Sequence, residues 1–140
     1  MLLRVLFIPP LQFPSVTTVD NDLIAMSALL GGYPYAIYPW DEPVALICSI
    51  RGDGQSVLNR CLDDSTIIEG PFLLVGSTDG ALISMTDEQL DRYYPMFYYP
   101  ERFYRRQQDH LLVASKLGSS QAPRILTREA KTPQPDRWLE

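Results

Sequence analysis

Few residues in this chain have the types and spacing that chemistry requires. Asn59–Arg60 is the pair of most interest, because a guanidinium stands among Leu58, Cys61 and Leu62 in an otherwise apolar run. Arginine carries five N–H donors in a planar fork that matches carboxylates and phosphates. That position fits two roles: an ion pair with one of the chain's many acids, or a fork that holds an anionic ligand or a partner's carboxylate. In the second role Gly32, Tyr33, Asn59 and Arg60 form the ligand- or partner-binding surface. Arg60→Ala would then remove binding at a stability cost of about 1–2 kcal/mol, the ordinary range for a single change.

Other chemistries find less support. His110 is the single histidine, so a histidine-based zinc site would need cysteines at metal spacing, and there is no C-x-x-C. Cys48 and Cys61 lie among apolar neighbours and read as two buried thiols acting as small hydrophobes. The acid pairs Asp41–Glu42, Asp63–Asp64 and Asp87–Glu88 are adjacent in sequence, which turns their side chains apart. Asp87–Glu88 suits a helix N-terminus and Asp63–Asp64 a turn. Gly31–Gly32 follows a helix, whereas phosphate loops precede one, and Gly52-x-Gly54 lacks a third glycine and a Walker lysine. No G-x-S-x-G elbow occurs. No catalytic residue, no metal ligand set and no cofactor is therefore assigned. A carboxylate–metal hydrolase stays as a lesser alternative.

Leu2–Ile8 is a short apolar strand stopped by Pro9–Pro10. Val16–Val19 is β-prone. Asp20–Asn21–Asp22 signals a helix start, Leu23, Met26 and Leu30 share a face, and Gly31 supplies the left-handed cap, giving a helix over about 21–30. Tyr33–Trp40, broken by two prolines, suits an edge strand. Val44–Ile50 is a strong strand and Arg51–Gly54 a glycine-rich turn. Ile67–Val75 is β kinked at Gly70–Pro71, Gly76–Gly80 a loop and Ala81–Ile83 a short return strand. Thr86–Gln89 has capping-box spacing and opens a helix that ends near Pro95. A second helix is expected from Pro100 to Leu117. The fold class is α+β: a mixed or mainly antiparallel sheet of four to five strands with helices on one face. Residues 1–117 form one domain and 118–140 a basic, loosely ordered C-terminal tail.

The length of 140 residues suits one core, and 46% hydrophobic with 21% charged residues is ordinary for a globular chain. The net charge of −5 divides unevenly: residues 1–100 hold 4 Arg against 12 acids (−8), and residues 101–140 hold 8 Lys/Arg against 5 acids (+3). An acidic body disfavours nucleic acid. The basic segment is expected to fold back on the body rather than reach an acidic partner. No apolar run approaches a membrane span and no signal peptide precedes the first strand, so the expected location is cytoplasmic.

Aromatic density exceeds what so small a core needs. Tyr33, Tyr35, Tyr38 and Trp40 form one group; Tyr93, Tyr94, Phe97, Tyr98, Tyr99, Phe103 and Tyr104 form the other. Tyrosine is amphipathic and common at interfaces, so the second group is the expected surface for a protein partner or for self-association.

The order Asp20–Asn21–Asp22, Gly31–Gly32–Tyr33, Asn59–Arg60, Gly70–Pro71–Phe72, Val75–Gly76 and Thr86–Asp87–Glu88–Gln89 resembles a domain-of-unknown-function family of short accessory proteins from bacteria, plasmids and phages, often found near antirestriction genes. The resemblance covers about residues 2–100. It implies a mobile-element accessory role, a matter of context rather than mechanism, and does not favour an enzyme. The expected function is a non-enzymatic binding protein that counteracts a host defence by occupying a protein or sequestering a small anionic ligand. The alternative is a homo-oligomeric structural or adaptor protein.

Overall fold

The computed structural model of the chain describes residues 1–50 and 57–140; the turn expected at Arg51–Gly54 lies outside the described residues. Alternation of side chains along each strand explains the architecture. In β1 (Leu2–Ile8), Leu3 and Val5 point to one side while Leu6 and Ile8 point to the other, and all four are buried. The same holds for β4 (Val44–Ile50) and for β7 (Phe72–Thr78). Strands apolar on both faces must be covered on both faces. The main sheet is therefore the middle layer, with one core above and one below.

Its order is β12 (Arg137–Trp138), β3 (Tyr33–Ile37), β4, β7, β1, β2 (Ser15–Asp20), with β8 (Ala81–Ile83) paired to the far end of β7. All these pairings are antiparallel. The sheet thus has seven strands rather than four to five, for two reasons. Residues 76–78 continue β7 instead of looping, and the turn shrinks to Asp79–Gly80, both at positive φ (50° and 79°), the geometry that Asp-Gly favours in hairpins. The C-terminus then supplies β12.

The helices lie on opposite faces, which corrects the one-face expectation. Helix α1 (Leu23–Leu30) covers one core with Met26 and Leu30, capped by Asp22 Oδ1 accepting from Ala25 N (2.7 Å) and ended by Gly31 at φ 75°. Helix α2 (Asp87–Met96) covers the other with Tyr93, and Thr86 and Gln89 close the expected capping box. On this second face also sit the hairpin β5 (Leu58–Asp63)–β6 (Thr66–Glu69) and a small sheet, β9 (Glu101–Arg105), β10 (Leu112–Lys116) and β11 (Arg124–Ile125).

The helix expected over 100–117 is a hairpin instead. Asp109 decides it: its Oδ1 accepts from Leu111 N (3.1 Å), its carboxylate pairs with Arg106, and His110 takes φ 60°. That local bond offers the backbone a turn in place of a helix. His110 is accordingly an exposed turn residue.

Residues 118–140, expected as a loose tail, dock on the body. Leu126 and Leu139 are buried, Thr127 N donates to Asp64 O, Lys131 N to Ser65 O, and β12 pairs with Tyr35 and Ala36. Two leucines at the right intervals suffice to tie the segment down. Charge adds only Arg124–Asp64 at 3.7 Å among the described ion pairs. No helix among the described residues is long and apolar enough to cross a membrane.

Candidate functional site: a buried arginine clasp beneath an aromatic surface

Asn59 and Arg60 are consecutive strand residues, which would ordinarily face opposite sides. The β5–β6 register shifts between Leu58 and Arg60, a bulge that lets both side chains enter the interior, where each is 0% exposed. Arg60 meets no carboxylate within 4 Å among the described residues. All five of its donors are spent on neutral oxygens. Nε and Nη2 donate to Phe97 O (3.3 and 3.1 Å), Nη2 to Gln12 O (2.8 Å), and Nη1 to Asn59 O and Oδ1 (3.4 and 2.8 Å). Asn59 Nδ2 completes the network by donating to Ile8 O and Gly70 O, both at 2.8 Å. Burial pushes the Arg60 pKa down to about 10, against an opposing pull from Glu101, so the guanidinium stays charged at neutral pH.

This corrects the reading of Arg60 as an anion fork. With no donor left and no exposure, it can hold chain segments together but cannot meet a ligand. The segments are two: the loop 9–14, through Gln12, and the end of α2, through Phe97.

Both segments carry exposed aromatics on the next residue. Phe13 follows Gln12 and Tyr98 follows Phe97; their rings lie 5.0 Å apart at centroid, with 55% and 38% exposure. Tyr98 also meets Tyr94 (5.8 Å) and Tyr99 (5.0 Å). Leu11 stands beside them in sequence, half exposed, at φ 60°. A leucine in the left-handed region costs roughly 1–2 kcal/mol, and such strain persists where the surroundings enforce it. Here the Arg60–Gln12 bond does so.

The seven aromatics expected at an interface therefore separate. Tyr93 and Phe97 are core, packed on Trp40 at 4.8 and 6.2 Å. Tyr94, Tyr98 and Tyr99 belong to the surface group. Phe103 and Tyr104 lie on β9, Tyr104 half exposed. Phe13 was missed by the sequence reading. Its signal is an unpaired aromatic between prolines (Pro10, Pro14), outside any periodic element.

Gly32 and Tyr33 are not part of this constellation. A Cβ on Gly32 would lie 2.4 Å from Ile50 O, so glycine is required by close backbone approach at the end of β4. Tyr33 is half exposed, its hydroxyl donates to Leu139 O (3.3 Å), and its ring meets Trp138 (5.5 Å). It serves the docking of β12.

Cys48 and Cys61 are free thiols, Cys48 buried and Cys61 only half-buried. Burial raises both, to about 11 and about 12, and the neighbouring Glu101 carboxylate adds to the rise at Cys61. A raised folded-state value means that stability is fully present below the ordinary thiol value of 9.0 and is lost as pH climbs through the raised values. The urea midpoint should thus fall steadily from pH 9 towards 11, with a shallower fall in Cys61→Ser. At pH 8 iodoacetamide should label both thiols at least about tenfold more slowly in the folded protein than in urea. Rapid labelling of the folded protein would contradict this environment.

No curated protein and no solved structure shows a significant match to the chain. Residues 3–98, from β1 to just past the end of α2, match the family described as Domain of unknown function (DUF3846), and the chain belongs to that family.

Proposed function

We propose that the chain is a non-enzymatic binding protein that engages a protein partner through the Phe13–Tyr98 surface. The observation that carries this reading is the build of that surface. Exposed apolar rings on irregular segments are costly to maintain, yet here a loop and the end of a helix are bonded from beneath by one buried arginine so that the rings meet. Rigid aromatic anchors lose little conformational freedom on binding, which suits recognition. The mobile-element setting and the role against a host defence come from the motif resemblance and belong to the same proposal, as does a cytoplasmic location.

Site-specific photocrosslinking tests the surface. A benzophenone amino acid at position 13 should give one discrete adduct in host cells. The same group at position 24, an 83% exposed isoleucine on α1, should give none above background. An adduct of twice the chain mass would assign the surface to self-association instead. Equal labelling from both positions would refute a dedicated surface.

A further inference from the structure

A second feature, independent of the aromatic surface, is a cleft of about 390 Å³ between the α2 end of the family domain and the β9–β11 sheet that lies beyond the family match. Its floor holds Glu101, only 5% exposed. Glu101 Oε1 accepts from Cys61 N (3.2 Å) and Sγ (3.1 Å). Among the described residues, no donor reaches its second oxygen. Arg60 cannot supply one, since its five donors are engaged elsewhere. Arg60 lies near enough to feel the Glu101 charge and Lys116 stands opposite Glu101 across the β9–β10 pair, yet the second carboxylate oxygen stays unbonded, and buried polar groups left half-satisfied call for a role.

The rest of the lining states what would complete it. Trp40, Met96 and Phe97 give an apolar wall, while Lys116 and Arg124 bring positive charge to the same cleft. A simple cation would be repelled by those two; a simple anion would be repelled by Glu101. We infer that the cleft binds a small molecule with an N–H donor group at one end and a carboxylate or phosphate at the other, the donor on Glu101 and the anion on Lys116 and Arg124, with a flat or apolar middle against Trp40. Free tryptophan, through its indole N–H and its carboxylate, and purine mononucleotides, through base N–H groups and phosphate, both have this chemistry, and the volume suits molecules of that size.

The test is calorimetric titration of the intact protein with L-tryptophan, guanosine monophosphate and adenosine monophosphate, with inorganic phosphate as control. One of the three organic probes should bind at millimolar concentration or below. Its affinity should fall at least about tenfold in Glu101→Gln and in Arg124→Ala, the loss expected of one charge-assisted hydrogen bond. Which probe binds tells the amino acid from the nucleotide. Binding of phosphate alone, or of none of the probes at millimolar concentration, overturns the inference.

A second readout needs no ligand. Glutamine keeps an oxygen for Cys61 N and spares the buried charge its desolvation, which offsets the lost attraction to Arg60, so Glu101→Gln should leave the melting temperature of the free protein within a few degrees. A larger fall would show that the Glu101 charge serves as a structural counter-ion to Arg60 and would overturn the inference by itself. Neither variant touches Phe13 or Tyr98, so the outcome is separate from that of the crosslinking experiment.

Discussion

Arg60→Ala should destabilise the protein by about 3–5 kcal/mol, against a total of about 5–15 kcal/mol for a domain of this size. The change removes a fully buried side chain, strands Phe97 O and both oxygens of Asn59 in the interior and releases the part-buried Gln12 O. Each buried acceptor left unpaired costs about 1–3 kcal/mol, and removal of the desolvated charge gives part of this back. Urea unfolding measures the loss. Arg60→Met, which keeps volume and removes the charge, should cost less than alanine but more than an exposed substitution. A cost below about 1 kcal/mol for Arg60→Ala would match a surface fork and contradict the clasp.

Removal of residues 118–140 should be comparably damaging. The segment buries Leu126 and Leu139 and supplies β11 and β12. Each leucine contributes about 1.5–3 kcal/mol by burial, so the two together give roughly 3–6 kcal/mol. The truncated chain should melt far lower and expose the edge of β3 to aggregation. Limited trypsinolysis of the intact protein gives the complementary result. Arg124 lies in β11, and the backbone of Lys131 exchanges bonds with Ser65 and Ile67, so cleavage there should wait for unfolding. Cutting at Lys131 within the first minutes, with the body left intact, would restore the loose tail.

Most of the main sheet was legible. The apolar runs at 2–8 and 44–50, the Asp22 and Gly31 signals around α1, and the Thr86–Gln89 box are local codes, and they act locally in the structure. What escaped was set by distant partners. Residues 57–60 gave no readable pattern because the bulge at Asn59 breaks alternation just where the clasp forms. The run 100–117 carries apolar residues at spacings that suit a helix, and one Asx turn at Asp109 redirected it.

The candidate site divides the same way. That Arg60 was unusual could be read from its apolar neighbours. That it faces inward could not, because its partners are backbone carbonyls 37 and 48 residues away, and every residue type has a carbonyl. Glu101 was invisible as a site for a related reason. Read in a helix, it is one charge among many; read in a strand, it shares a face with Phe103, which points it inward.

Arg60 holds the two segments that present Phe13 and Tyr98. Amide hydrogen exchange on Arg60→Lys tests this most directly, since lysine keeps the charge but has no planar fork to bridge two carbonyls. Protection should be lost jointly in residues 11–14 and 96–99, with β3, β4 and α1 exchanging as in the parent. Unchanged protection in both segments, in a folded Arg60→Lys protein, would contradict it.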